Sequence, residues 1–287
     1  MNFSPKDAVE KIGNLAKSDI TEDDSPVTFM IDKDLYGVVP EPYPASSDFP
    51  DWYKDIPMFA TDEHGREDKM QYSIRGCKPF MQSLSLGWML PLPSDLHIVN
   101  DQHGASIKFT DVGSISVLST QDHSMYGEEY NVPIDGGVSV KFETPWYISV
   151  PENYSLFNLP ILNRWESDIY KYFYPFSGIW EADKVVASVN QFAIMNLPEQ
   201  INTIIPAGTP ISQIAAVHRD AFLYNATTRS LSEEEHSIIE KNGILRDVSS
   251  HLYSNHLWEP MKSSRMVQND NERTGGCPFS HNKSSDE

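Results

Sequence analysis

The sequence predicts a mainly β protein, either a barrel or a two-sheet sandwich, over residues 27–220. The segment VSVKF (138–142) alternates apolar and polar residues, as a half-buried strand does. Strand-like segments separated by polar turns then continue over residues 142–219. This run closes on a turn-strand unit at residues 205–214, in which prolines and a glycine interrupt the apolar pattern. Short strands between such turns are typical of antiparallel sheets folded around one core.

Helical segments are expected on both sides of this β domain. Ser4 and Pro5 have the residue types of a helix cap and first turn, which predicts a short helix and an acidic linker within residues 1–26. After the β domain, residues 221–261 predict a helical hairpin whose first helix begins with a serine cap and ends at a glycine. Residues 262–287 are polar and poor in β-forming residues, which indicates a disordered tail.

A proline-rich segment at residues 39–57, here called the arm, carries the candidate partner-binding residues. Prolines at this density disfavour both a helix and a central strand, so we expect an extended segment that wraps a surface. Its aromatic anchors are Tyr43, Phe49, Trp52 and Tyr53. Such an arm can pack on its own domain or dock on another subunit, and both interpretations remain open.

The charge of the chain argues against nonspecific binding to nucleic acid. The 22 basic and 41 acidic residues give a net charge of −19. A surface of this sign repels a phosphate backbone, and the sequence has no Lys/Arg cluster. The expected partner is instead a protein or, in a homo-oligomer, a second copy of the chain, because an aromatic arm can dock on another subunit.

Hydropathy predicts a soluble intracellular protein. No apolar run approaches the roughly 20 residues that a helix needs to cross a bilayer. The first residues, MNFSPKDAVEKIG, lack the apolar region of a secretory signal. Cys77 and Cys277 provide neither a disulfide framework nor a closed zinc site, and we expect Cys77 to be a small buried thiol.

Two groups of polar residues are candidates for catalysis or metal binding. Glu181 and Asp183 would point to the same face if they lay on a strand, which suits a base and a metal-orienting carboxylate acting on one water. Solvated turn residues are the commoner explanation of such a pair. His218 and Asp220 have the His-x-Asp spacing of iron(II) oxygenases, which also need a distal histidine. That histidine would come from the candidates His251 and His256.

The segments FPDWYKDIP, SIRGCKPFMQSLSLGWMLPLPSDL and PWYISVPENYSLFNLPILNR resemble a family of uncharacterised proteins of tailed phages, especially marine ones. This resemblance implies a viral origin and a location in the host cytoplasm or the virion. It implies no biochemical activity.

A second resemblance covers residues 145–217, which are similar to the β-barrel of the dUTPase and dCTP-deaminase group. The segment Gly178–Asp183 is similar to the acidic turn of that group, and Ile211–Ile214 is similar to its closing strand. The resemblance implies a nucleotide hydrolase with Glu181 or Asp183 as base and Arg164 near the phosphates. However, LNRW (162–165) stands where the phosphate loop of the group would fall.

Three functions follow, in decreasing order of expectation. The first is a non-enzymatic structural or interaction protein that binds partners through the arm and that the phage resemblance would place in a virion. The second is a nucleotide hydrolase on the dUTPase-like part. The third is an iron(II)/2-oxoglutarate oxygenase that uses His218 and Asp220. The sequence identifies no cofactor, and it favours a non-enzyme without deciding the point.

Overall fold

The computed structural model describes residues 27–109, 118–120, 138–222 and 226–248, and the side chains of 68–70 and 241–248 are left aside. The chain forms two compact units, residues 1–229 and 230–287. The described helices are α1 (Asp51–Asp55), α2 (Lys78–Leu84), α3 (Ile169–Tyr172) and α4 (Glu233–Val248). The described strands are β1 (Thr28–Met30), β2 (Tyr43–Pro44), β3 (Phe59–Thr61), β4 (Glu67–Tyr72), β5 (Trp88–Pro91), β6 (Leu96–Asp101), β7 (Gly104–Phe109), β8 (Leu118–Thr120), β9 (Val138–Ser149), β10 (Tyr154–Leu159), β11 (Phe173–Pro175), β12 (Gly178–Trp180), β13 (Ala187–Met195), β14 (Ile201–Ile205) and β15 (Pro210–His218).

The first sheet is built on the long strand β9. One edge of β9 pairs with β13, and β1 and β8 pair with successive parts of its other edge. Strand β11 extends the sheet beyond β13. The alternation predicted for residues 138–142 holds over 140–142, where Val140 and Phe142 are buried and Lys141 between them is partly exposed, but Ser139 is buried as well.

The second sheet has the strand order β12-β10-β15-β5-β2, and all of its pairings are antiparallel. Strand β15 contains the turn-strand unit expected from the sequence, and it lies between β10 and β5. The arm supplies the edge strand β2, which pairs Tyr43 with Met89. An edge is where a strand that contains proline can lie without losing a ladder hydrogen bond.

Both sheets contribute to one hydrophobic core. Buried members include Phe142 and Val189 of the first sheet and Leu156 and Ile214 of the second sheet. The described strands form open sheets, and no closed barrel is seen among them. The mainly β prediction is therefore confirmed. The barrel form is not found among the described strands, and two antiparallel sheets that share one core fit the sandwich form.

Two smaller sheets complete the first unit. Strands β14, β6 and β7 form an antiparallel sheet, and Leu96, Ile98 and Ile205 join it to the same core. Strands β3 and β4 form a hairpin.

Two helical predictions need correction. The arm was expected to contain no helix, yet α1 begins directly after Pro50. Proline is tolerated at the start of a helix because the first backbone N–H groups have no partner within the helix. Helix α4 was expected to end at a glycine, but it runs through Gly243 to Val248.

The serine cap of α4 is confirmed. The Ser232 hydroxyl accepts a hydrogen bond from the Glu235 amide, and a Glu235 carboxylate oxygen accepts one from the Ser232 amide. This reciprocal pair is a capping box. The predicted helix and linker in 1–26, the second helix of the hairpin and the tail 262–287 lie outside the described residues.

Candidate functional site

The aromatic residues of the arm are brought together with Phe80 and Trp165, which come from distant parts of the sequence. Ring centroids are 5.6 Å apart for Phe49 and Tyr53 and 5.9 Å apart for Tyr53 and Phe80. Tyr53 is buried, with 1% of its surface exposed, and its hydroxyl donates to the Arg75 carbonyl at 3.0 Å. Tyr53 therefore anchors the arm to its own domain and presents no surface to a partner.

Trp165 is the exposed member of this cluster, and together with the partly buried Trp52 it forms what is here called the tryptophan platform. Their rings are stacked, with centroids 4.4 Å apart and planes inclined by 28°. Trp52 Nε1 donates a 3.0 Å hydrogen bond to Glu166 Oε2, which fixes the indole relative to the 162–166 loop. Trp165 remains 62% exposed. A large apolar ring that is held in place and left in water is a common feature of binding surfaces.

Arg164 directly precedes Trp165 and connects the loop to Asp48 of the arm. It is 8% exposed, and its Nη2 is 3.2 Å from Asp48 Oδ2 while Nη1 is 3.9 Å from Glu166 Oε1. Tyr43 donates its hydroxyl proton to the same Asp48 oxygen at 3.1 Å. Burial, reinforced by the Asp48 charge, raises the pKa of Tyr43 far above its ordinary value, so the phenol stays a donor.

Gln213, a fully buried residue of β15, fixes the geometry of the loop. Its Oε1 accepts a 2.9 Å hydrogen bond from the Leu162 amide, and its Nε2 donates to the Ser83 and Leu86 carbonyls. Asn163, with φ of 56°, donates from Nδ2 to Ser83 Oγ at 2.8 Å. The loop that carries Trp165 is thus tied to the end of α2, the helix that carries Phe80.

Asp183 is part of a structural clamp on the second sheet. Arg219 Nη1 donates to Asp183 Oδ1 at 2.7 Å, and Arg219 Nη2 and the Asn153 amide donate to Oδ2. The Arg219 hydrogen bonds hold the pKa of Asp183 below its usual range, and only 5% of the side chain is exposed. A carboxylate with this many donors binds protons poorly, which disfavours a role as general base.

Glu181 and Asp183 lie in the turn after β12, not on a strand as the shared-face argument required. Lys184 donates to Glu181, whereas Asp183 pairs with Arg219 and Arg164 pairs with acidic residues of the arm and loop. The three residues predicted for a nucleotide site therefore pair with different partners and not with one another.

His218 and Asp220 are close together at the end of β15. His218 Nδ1 is 3.5 Å from Asp220 Oδ2 and accepts a hydrogen bond from the Asp220 amide at 3.3 Å. The Tyr154 ring packs edge-on against the imidazole, with centroids 5.1 Å apart. Within the described residues no three His, Cys, Asp or Glu side chains converge to hold a metal ion. His251 and His256 lie outside those residues.

Cys77 is exposed, so the expectation of a buried thiol is wrong. It precedes α2, where the chain enters the helix from an extended conformation. Cys277 lies outside the described residues. Among the helices that the structure describes, none combines the length and the apolar character needed to span a membrane.

Searches of protein-family models, of curated proteins and of solved structures return no match to this chain. The resemblances to the phage family and to the dUTPase group stay predictions.

Sequence reasoning identified Trp52 and Arg164 but assigned them to different functions, and it missed the roles of Trp165 and Glu166. The missed signal was the run Arg-Trp-Glu in a segment between strands, where an indole has no sheet to pack on.

Proposed function

We propose that this chain is a non-enzymatic interaction protein that binds a partner polypeptide through the tryptophan platform. The observation that carries the proposal is the stack of Trp52 on Trp165, in which Trp165 stays 62% exposed. Tryptophan is enriched among the residues that dominate binding energy, because it offers a large contact area at a low cost in conformational entropy.

The platform is also pre-organised. Hydrogen bonds from Trp52 to Glu166 and from Leu162 to Gln213 hold the two indoles in one arrangement. A surface that is ordered before it binds loses less entropy on association. This rigidity supports a role in binding, and a virion-associated role, which the phage resemblance implies, remains part of the proposal.

The enzymatic alternatives have weaker support. Asp183 already accepts hydrogen bonds from Arg219 and from the Asn153 amide. The Arg164 guanidinium is 8% exposed and faces Asp48 and Glu166, so burial and these carboxylates disfavour a contact with a phosphate. His218 and Asp220 provide two of the three ligands that an oxygenase needs.

The experiment that tests the proposal is a selection from a displayed random-peptide library on three immobilised proteins: the wild type, Trp165→Ala and Tyr174→Ala. Tyr174 is the matched control, since it is an aromatic residue with 49% exposure on β11 of the other sheet. Peptides enriched on the wild type should bind Trp165→Ala at least about tenfold more weakly, as expected for a hot spot. They should bind Tyr174→Ala unchanged.

The proposal fails if no peptide is enriched or if the enriched peptides bind Trp165→Ala as well as the wild type. Circular dichroism of both variants checks that the fold is intact.

A further inference from the structure

We infer that the partner segment on the tryptophan platform is cationic and places an arginine guanidinium on the exposed indole of Trp165; this inference rests on the proposed function. The face of Trp165 that meets Trp52 is covered at a centroid distance of 4.4 Å, and most of the residue remains open to solvent. The π face of an indole attracts cations, and a planar guanidinium stacks on it well.

A carboxylate adjoins each tryptophan in the sequence. Asp51 directly precedes Trp52, and its side chain is 91% exposed although Lys54 lies 2.8 Å away. Glu166 directly follows Trp165, and its Oε1 is 3.9 Å from the nearest Arg164 nitrogen.

These carboxylates are able to take an incoming cation. A solvent-exposed ion pair such as Asp51–Lys54 contributes little and exchanges readily. Each carboxylate oxygen can accept more than one hydrogen bond, so Glu166 can hold Trp52 and still receive a new donor. The platform thus combines the aromatic face of Trp165 with the Glu166 acceptor that is bonded to Trp52, which matches both parts of an arginine side chain.

The charge of the chain favours this occupant over two others. A second copy would carry the same net charge of −19, and two such surfaces repel each other. A nucleic acid could stack its bases on an indole, but its phosphates meet the same repulsion. A basic segment is attracted at long range, which increases its association rate.

The test uses fluorescein-labelled peptides of equal length in which glycine alternates with arginine, lysine, norleucine or glutamate. Fluorescence anisotropy measures the Kd of each peptide for the full chain. We expect the arginine peptide to bind at least tenfold more tightly than the norleucine peptide and more tightly than the lysine peptide. Its Kd should rise severalfold between about 0.01 M and about 0.15 M salt, as the screening length falls from roughly 30 Å to roughly 8 Å.

Variants locate the binding. Trp165→Ala should raise the Kd of the arginine peptide at least tenfold. Glu166→Gln should raise this Kd about threefold or more. The glutamine amide oxygen can still accept the hydrogen bond from Trp52, but the negative charge is gone. Glu199→Gln, which removes an exposed carboxylate between β13 and β14, is the matched control and should leave the Kd unchanged.

The outcomes separate this inference from the proposed function. If the norleucine peptide binds as tightly as the arginine peptide in a Trp165-dependent way, the cationic inference is wrong and the interaction function stands. If sedimentation shows a dimer that Trp165→Ala abolishes, the occupant is a second copy and the inference is again wrong. If neither the arginine peptide nor any display-selected peptide depends on Trp165, both fail.

Discussion

Gln213 Oε1 accepts a hydrogen bond of 2.9 Å from the backbone amide of Leu162 inside the protein. The same side chain donates from Nε2 to the Leu86 carbonyl at 2.6 Å. One buried amide therefore satisfies backbone groups of two segments that do not belong to its own sheet. Since Leu162 begins the loop that carries Trp165, the position of the platform depends on a residue of β15 that is itself inaccessible to any partner.

Gln213→Leu should lower the free energy of unfolding by about 3 kcal/mol. The Leu162 amide and the Leu86 carbonyl would be buried without a partner, and each unsatisfied group costs about 1–3 kcal/mol. Urea unfolding followed by circular dichroism measures the loss. Gln102→Ala, at an exposed site, is the control and should stay within about 0.5 kcal/mol of the wild type. An equally small loss for Gln213→Leu would contradict the role assigned to this side chain.

Gly87→Ala should lower the stability of the protein by much more than the addition of one methyl group usually does. Gly87 has a φ of 63°, and a Cβ there would lie 1.8 Å from the Ile214 carbonyl oxygen on β15. Gly65→Ala is a matched control, since Gly65 has a φ of 75° and nothing within 4 Å of the added atom. The control should lose about 1 kcal/mol from backbone strain alone. Gly87→Ala should lose several times as much or fail to fold. Equal melting temperatures for the two variants would contradict this, because they would mean that β15 moves away from residue 87 without a loss of stability.

The fold class could be predicted from the sequence because strand patterns are local. The apolar positions Val140 and Phe142 of VSVKF, for example, are the ones that β9 buries in the core. Whether the sheets close into a barrel depends on which strands pair at the edges. Local periodicity carries no information on such pairing, so barrel and sandwich could not be distinguished.

The candidate site was harder to predict because long-range contacts build it. Trp52 and Arg164 are conspicuous residues in a sequence, but their neighbours Trp165 and Asp48 become relevant only once the chain has folded. For the same reason Asp183 could be taken for a catalytic base. Its partner Arg219 follows 36 residues later, after strands β13, β14 and β15, so the sequence does not show the ion pair.

The Asp183–Arg219 pair should make the free energy of unfolding depend on pH in the acidic range. The pKa of Asp183 is lower in the folded chain than the ordinary value of about 3.9, so the unfolded state binds the proton more readily. Its stabilisation is therefore complete above about pH 5 and is lost as the pH falls through the folded pKa. Asp183→Asn should cost about 2 kcal/mol at neutral pH, because charge-assisted hydrogen bonds are lost.

The difference between the wild type and Asp183→Asn should shrink below about pH 4, in thermal unfolding measured over a pH series. A difference that stays constant down to pH 2 would mean that folding does not lower the pKa of Asp183. Glu181→Gln, at a half-exposed ion pair, is the comparison and should show a much smaller effect at every pH.

A thermal-shift panel should be flat for the ligands of the two enzymatic alternatives. A ligand at 100 times its Kd adds about 2.7 kcal/mol and raises the melting temperature by a few degrees. Nucleoside triphosphates with magnesium, and iron(II) with 2-oxoglutarate, should give no such shift. A shift with one nucleotide that disappears in Asp183→Asn would support the hydrolase instead. A shift with iron(II) that disappears in His218→Ala would support the oxygenase.

Replacement of Trp52 should show what this residue contributes to the stability of the fold and what it contributes to binding a partner. Trp52→Ala removes the ring contacts with Tyr53, Phe80 and Trp165 and the hydrogen bond to Glu166, so it should lose about 3 kcal/mol of stability and weaken assembly with a partner. Trp52→Phe keeps an aromatic ring in place and loses the Nε1 donor, so it should lose about half as much. Calorimetric unfolding and binding of the display-selected peptides measure the two effects. If Trp52→Ala unfolds normally and binds those peptides like the wild type, the stack with Trp165 contributes neither to the fold nor to recognition.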